Sequence, residues 1–193
     1  MEKFGIMDVE HAIQKRRAFR SLDPESLSKQ DLHQLEIAIQ LAPSCFNNQP
    51  WRFVFVTDEE KRKEMQKVLS KGNEWAYHAS LYVAACARKD DDCVIYDREY
   101  YLFDTGLATG FLVLRATELG FVAHPIAGYS PKKTREILKI PDDMQVITLV
   151  IIGKHRDSIR GELSEKQIEA EKRRPERKPI EEIIFYNKYE RGE

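Results

Sequence analysis

Two groups of arginines stand near opposite ends of this chain, and between them lies a loop crowded with short polar side chains. Arg16-Arg17-Ala18-Phe19-Arg20 closes the first helical pattern. Guanidinium forks bind phosphate oxygens bidentately, so this segment can clamp a phosphate. The same cations can equally complement the negative end of a helix. Arg173-Arg174-Pro175-Glu176-Arg177-Lys178-Pro179 can supply a late phosphate ligand, a nucleic-acid patch or a solvated arm. The loop is Ala42-Pro43-Ser44-Cys45-Phe46-Asn47-Asn48-Gln49-Pro50-Trp51. Its side chains can present hydrogen bonds to a planar heterocycle, although Asn, Ser and Pro favour turns in any case. A fourth segment, Pro125-Ile126-Ala127-Gly128-Tyr129, is small enough to let backbone N–H groups approach a ligand, or simply to turn the chain.

Other chemistries are missing. The chain has no G-x-G-x-x-G, no Walker A loop, no H-E-x-x-H and no C-x-x-C. His11, His33, His78, His124 and His155 lack ligand spacing, so no metal site is expected. Asp90-Asp91-Asp92 lacks the alternation and glycine of a calcium loop and reads as a solvated turn. The 193 residues carry a net charge of −1, so no global field steers the chain to nucleic acid or an anionic membrane. Hydrophobic residues make up 42% and charged residues 33%, enough to build a core and keep a polar surface. Cys45, Cys86 and Cys93 are odd in number and without paired spacing, which predicts reduced thiols and a cytoplasmic setting. The N-terminus has no apolar signal core, and no apolar run approaches the ~20 residues that span a bilayer.

Helices and strands must position these segments. The pattern predicts a helix from Asp8 to Arg16, with Val9, Ala12 and Ile13 on one face. A second helix starts at Ser28, which forms a capping-box pattern with Asp31, and Pro43 stops it. Strands are predicted over Trp51 to Val56, Ser80 to Ala87 and Val146 to Ile152. A polar helix is predicted from Thr57 to near Gly72, a long apolar helix from Tyr96 to Leu119 capped by Gly120, and another from Ser130-Pro131 to Leu138. From Lys154 the chain turns charged, then ends in an apolar patch at Ile180, Ile183, Ile184, Phe185 and Tyr186. Such a tail either docks on a partner or frays into solvent. The sum is one α+β layered domain over 1–193, a mixed central sheet flanked by helices, with an extended C-terminal arm from about 154.

In this order and spacing the four segments resemble the FMN-dependent nitroreductase family. The resemblance runs over nearly the whole chain, and P-S-x-x-N-x-Q-P-W at residues 43–51 is its most specific piece. Asp104, Gly106 and the run to Leu119-Gly120 resemble the family's long core helix. The resemblance implies a homodimer with two interfacial FMN sites, the arm docking on the partner subunit. Arg16 would bind the FMN phosphate, Arg17 and Ala18 would lie beside it, and Arg20 would reach the pyrimidine edge. Pro43, Ser44, Cys45 and Asn47 of the other subunit would line the ribityl chain and ring, with Gln49 nearby. Backbone N–H groups of Ala127 and Gly128, in one segment with Pro125 and Ile126, would face flavin N5. Arg177, helped by Arg174, would close the phosphate site, and Asn73 is the candidate flavin-edge residue. Ala18 departs from the serine of many members and forfeits a hydroxyl contact.

The implied activity is a ping-pong NAD(P)H oxidoreductase, with NADH or NADPH as reductant and a nitroaromatic, quinone or similar small molecule as acceptor. No catalytic side chain is needed, because the flavin carries the hydride. The alternative is a flavin-binding storage or regulatory protein without turnover. No nucleic-acid or membrane partner is expected.

Overall fold

The computed structural model describes residues 8–189. Helix α1 (Val9–Lys15) starts at Asp8, whose carboxylate accepts the His11 N–H, and stops at Arg16. Of its apolar stripe only Ala12 is buried; Val9 and Ile13 face outward. Strand β1 (Leu22–Asp23) follows. Helix α2 (Lys29–Gln40) has the capping box expected of Ser28 and Asp31 and buries Leu35 and Ile39. Strand β2 (Trp51–Val56) leads to α3 (Glu59–Gln66). Asp58, not Thr57, caps α3, and the helix ends well before Gly72. Strand β3 (Leu81–Ala87) is buried along its whole length.

A small hairpin then replaces the expected start of the long helix. Strands β4 (Val94–Ile95) and β5 (Arg98–Glu99) pair around Tyr96, whose φ of 59° is left-handed and cannot continue a helix. Helix α4 (Tyr100–Glu118) therefore begins at Tyr100. Gly120, at φ 79°, turns the chain away from its end. Strand β6 (Val122–Ile126), helix α5 (Pro131–Leu138), strand β7 (Gln145–His155) and helix α6 (Glu165–Lys172) complete the order.

Strand β7 is the centre of the sheet, with β3 on one side, β6 on the other, β2 outside β3, and β1 paired to its last residues. Every one of these pairings is antiparallel, which corrects the expectation of a mixed sheet. The helical crossovers do create parallel strands: β3 and β6 run the same way, but β7 lies between them. Alternation along β3 and β7 feeds two cores. Leu81, Val83, Val150 and Ile152 meet Leu35, Ile39 and Leu112 from α2 and α4 on one face. Tyr82, Leu149 and Ile151 meet Met65, Val68 and Trp75 on the other. The result is a central sheet flanked by helices.

The polar stretch after Gly153 is not an extended arm throughout. Ser164 and Gln167 form a second capping box, Leu163 is buried, and Ile168 packs against the core. From Arg173 the chain is largely exposed, and Ile180, Ile183, Ile184 and Tyr186 all face outward. No helix among the described residues is long and apolar enough to cross a membrane.

Candidate functional site

Helix α6 and the residues after it close on the end of α1. Arg17 donates to the Ala170 carbonyl and, at 3.2 Å, to that of Glu171. Its guanidinium also lies 4.4 Å from the centre of the Phe19 ring. Arg174 donates to the Gln14 carbonyl in the last turn of α1. Arg16 is half-buried among these groups. Its pKa lies below the usual arginine value, first because burial disfavours the charge and then because Arg174, Arg177 and Arg17 repel it. The arginine–carboxylate ion pairs of the described residues involve Arg52, Arg88, Arg115, Arg156, Arg160 and Arg173, and none of these four. Uncompensated like charges around a half-buried point are costly, and a bound anion relieves that cost.

Arg20 is set by a buried carboxylate. Glu171 accepts the Arg20 backbone N–H at 2.6 Å and that of Ser21 at 3.2 Å, which fixes the turn after α1. The Arg20 guanidinium lies 5.8 Å from the Trp75 ring centre, and its Nε is buried with no hydrogen-bond partner. Burial lowers its pKa against the opposing pull of Glu171. Trp75 Nε1 donates to Asn73 Oδ1 at 3.2 Å, and Asn73 Nδ2 donates to the Gly128 carbonyl at 2.9 Å. A Cβ on Gly128 would lie 2.3 Å from that Nδ2, so glycine is what lets the two segments meet. Trp75 stacks at 4.7 Å on His124. Burial first, then the charge of Arg20, push His124 down to about 4, so the ring is neutral. Its Nδ1, 3.2 Å from the Phe19 carbonyl, then carries the hydrogen, because a carbonyl can only accept.

The polar loop forms a second group. Phe46, Asn47 and Gln49 take φ values of 47°, 60° and 49°, left-handed non-glycine residues broken only by the right-handed Asn48, of the kind that clusters at functional sites. Ser44 Oγ accepts the Gln49 N–H at 2.9 Å, and Gln49 Nε2 donates to the Asn47 carbonyl at 3.0 Å. Asp104 of α4 accepts the Cys45 N–H at 2.6 Å. Cys45 is disulfide-bonded to Cys93, with Cα atoms 6.2 Å apart. This overturns the expectation that all three thiols are reduced; only Cys86 is free, and it is buried. The 48-residue separation hides the pairing in sequence, because the fold, not the spacing, brings the β4–β5 approach against the loop. A cavity of about 340 Å³ beside the bridge is lined by Pro43, Ser44, Cys45, Phe46, Tyr100 and Phe103 among others.

Arg16, Arg17, Arg20, Asn73, Gly128, Arg174 and Arg177 thus belong to one group, and Pro43, Ser44, Cys45, Asn47 and Gln49 to the other. Among the described residues no hydrogen bond or ion pair joins the two. Ala18 and Ala127 are exposed beside the first group; Pro125 and Ile126 belong to β6, where Ile126 is buried. Sequence reasoning missed Glu171, which fixes the Arg20 backbone, and Trp75 and His124, which stack on each other beside the Arg20 guanidinium. The Ser164–Gln167 capping box was the one signal that could have pointed to α6 and so to Glu171.

Known proteins resemble this chain in sequence and in fold. Residues 13–76, which contain Arg16, Arg20, the polar loop and Asn73, match the family pattern described as Nitroreductase family. A protein of Archaeoglobus fulgidus with the provisional name NADH dehydrogenase/NAD(P)H nitroreductase is 31% identical over 149 residues, covering 75% of this chain and 84% of its own. An FMN reductase (NAD(P)H) of Bacillus subtilis is 25% identical over 167 residues, covering 78% of this chain and 67% of its own. A solved structure described as an oxidoreductase containing FMN superposes with a TM-score of 0.80 at 28% identity, over 98% of this chain and 96% of that one. A nitroreductase family protein from Clostridium novyi NT gives 0.74 at 25% identity, over 78% and 87%. On its residues, its fold and these likenesses, the chain belongs to the nitroreductase family.

Proposed function

We propose that the protein is an FMN-dependent NAD(P)H oxidoreductase that works as a homodimer, each site joining the arginine group of one subunit to the Pro43–Gln49 loop of the other. The observation that carries this is the cluster of Arg16, Arg17, Arg174 and Arg177, which among the described residues forms no ion pair with a carboxylate. The phosphate of FMN has nearly two negative charges and matches it. The residues present fit the rest of the group as well. The buried Nε of Arg20 lacks an acceptor, and a flavin pyrimidine edge offers one. Exposed apolar residues on α1 and α4, including Val9, Ile13, Phe103 and Phe111, and the apolar tail at Ile180, Ile183 and Ile184 are what a second copy would cover.

When bound, FMN supplies two-electron chemistry, taking hydride from NAD(P)H and giving two electrons to an acceptor such as a nitroaromatic or quinone in a ping-pong cycle. The chain's own work is binding and electrostatics. Arg16, Arg174 and Arg177 hold the phosphate. Arg20 places a positive charge at the edge where negative charge develops on reduction. Neutral His124 adds no second cation beside it and keeps Trp75 and Asn73 in register. The Pro43–Gln49 loop presents polar groups to the ring and excludes water from that side.

The visible spectrum of the purified protein, before and after anaerobic NADH or NADPH, tests the proposal. Flavin absorption that bleaches on addition is the expected result. Bound flavin that never bleaches points to storage or regulation, and a colourless protein that takes up no FMN overturns the reading.

A further inference from the structure

The Cys45–Cys93 bridge sits where three separately encoded pieces meet: the left-handed loop, the residues ahead of β4, and the first turns of α4. The sulfur atoms and a carboxylate oxygen of Asp92 all lie within 4.8 Å of one another. Asp92 Oδ1 accepts the Cys93 N–H at 2.8 Å, and Asn48 Nδ2 reaches both Asp92 Oδ1, at 3.3 Å, and Cys93 Sγ, at 3.4 Å. Asp104, 2% exposed, holds the Cys45 side through its backbone N–H. Burial holds the Asp104 carboxyl above the usual carboxylate range; the Cys45 N–H opposes this, and the Asp92 carboxylate adds to it. Asp92 Oδ2 is itself buried without a donor. Both bridged cysteines remain partly exposed. Cys86 is the internal contrast, since burial pushes its thiol up to about 12 and leaves it inert.

We propose that Cys45–Cys93 is a reversible dithiol–disulfide site, opened by small dithiols and re-formed by small disulfides, whose state sets how firmly the Pro43–Gln49 loop is held for its ligand. The thiolate of a small dithiol attacks Cys93 Sγ, forming a mixed disulfide as the Cys45–Cys93 bond breaks. The electron pair leaves on Cys45 Sγ, which takes a proton from solvent. The second thiol of the reductant then attacks the mixed disulfide. Cys93 leaves as a thiol carrying the proton of that second thiol, and the reductant departs as a cyclic disulfide. Two electrons have passed from the dithiol to the cysteine pair, and a small disulfide reverses the exchange. Opening the bridge leaves three left-handed residues without their covalent tie, held by hydrogen bonds such as those of Ser44 and Asp104.

The effect of the bridge on ligand holding rests on the FMN reading, and the experiment separates the two. The full chain is compared as purified and after anaerobic dithiothreitol, counting thiols with a colorimetric reagent and titrating FMN by its fluorescence. The oxidised protein is expected to show no reactive thiol when folded and one, Cys86, when unfolded. The reduced protein is expected to show two and three, and oxidised glutathione to restore the first pattern. FMN affinity is expected to fall about ten-fold on reduction, the loss expected when a binding loop gives up its preorganisation. Cys93→Ser, checked for its fold by circular dichroism, is expected to bind FMN like the reduced protein whether or not dithiothreitol is present. Folded protein whose thiols neither appear with dithiothreitol nor disappear with oxidised glutathione overturns the proposal, as does equal FMN affinity in both states. FMN binding in neither state overturns the cofactor reading instead, and the thiol count still decides whether the bridge is reversible.

Discussion

Arg16 and Gly128 show how far a single residue carries the site. Arg16 is held against three other guanidinium groups. Replacing it with Gln removes a charge-assisted phosphate bond, at roughly 1.5–3 kcal/mol or about a 10- to 150-fold rise in FMN Kd. The same change relieves repulsion in the free protein, so its melting temperature is expected to hold or rise without FMN. A fall in melting temperature with unchanged FMN affinity would make Arg16 a packing residue. Gly128→Ala sets a Cβ against the Asn73 amide, which is tied at both ends by Trp75 and the Gly128 carbonyl. The amide must give way, and the expected loss is about 1–3 kcal/mol in denaturant unfolding, with weaker flavin binding. Full stability and full affinity would show that Asn73 yields freely. The arginines were legible in the sequence because their chemistry is intrinsic to the side chain. Glu171, Trp75 and His124 were not, because each acts by meeting a residue far along the chain.

Elements were legible where their signals are local. The capping box at Ser28, the Ser130-Pro131 start and the Gly120 turn all appear as the sequence implies. The β4–β5 hairpin was hidden because its four strand residues show no period, and the all-antiparallel sheet was hidden because strand order depends on which side of β7 each crossover lands. The contact between β6 and the Glu74–His78 turn has a pH signature. His124 titrates near 6.5 in the unfolded chain and about 4 in the fold, so the unfolded state takes up its proton first as pH falls. This contribution is fully present above about 6.5, is lost as pH drops toward about 4, and loses no more below that. Between pH 7 and pH 5 the loss is on the order of 2 kcal/mol. Urea unfolding at the two pH values checks it, with His124→Gln as the comparison. The variant is expected to lose most of the difference; an equal pH slope in both proteins would assign the effect elsewhere.

At the scale of the whole molecule, the two groups of site residues and the uncovered apolar faces pose one problem with one solution. Helix α4 is 19 residues long, about 28 Å, and its first turns hold the Pro43–Gln49 loop while residues Phe111 to Glu118 pack near the start of α1. The arginine group lies past the end of α1, so in one chain the proposed phosphate clamp and the proposed ring-binding loop sit at different elements. Phe111 and Leu114 of α4, with Val9 of α1, line an apolar cavity of about 490 Å³ between the two. A second copy related by a two-fold axis would cover that face and bring each loop to the other chain's arginines. Phe111→Asp places a charge there without touching either group. Sedimentation is expected to show a dimer for the parent protein and a monomer for the variant, and the monomer is expected to lose FMN although every proposed FMN ligand is intact. A monomeric variant that binds FMN as tightly as the parent would mean that a single chain builds the whole site, and would end the shared-site reading.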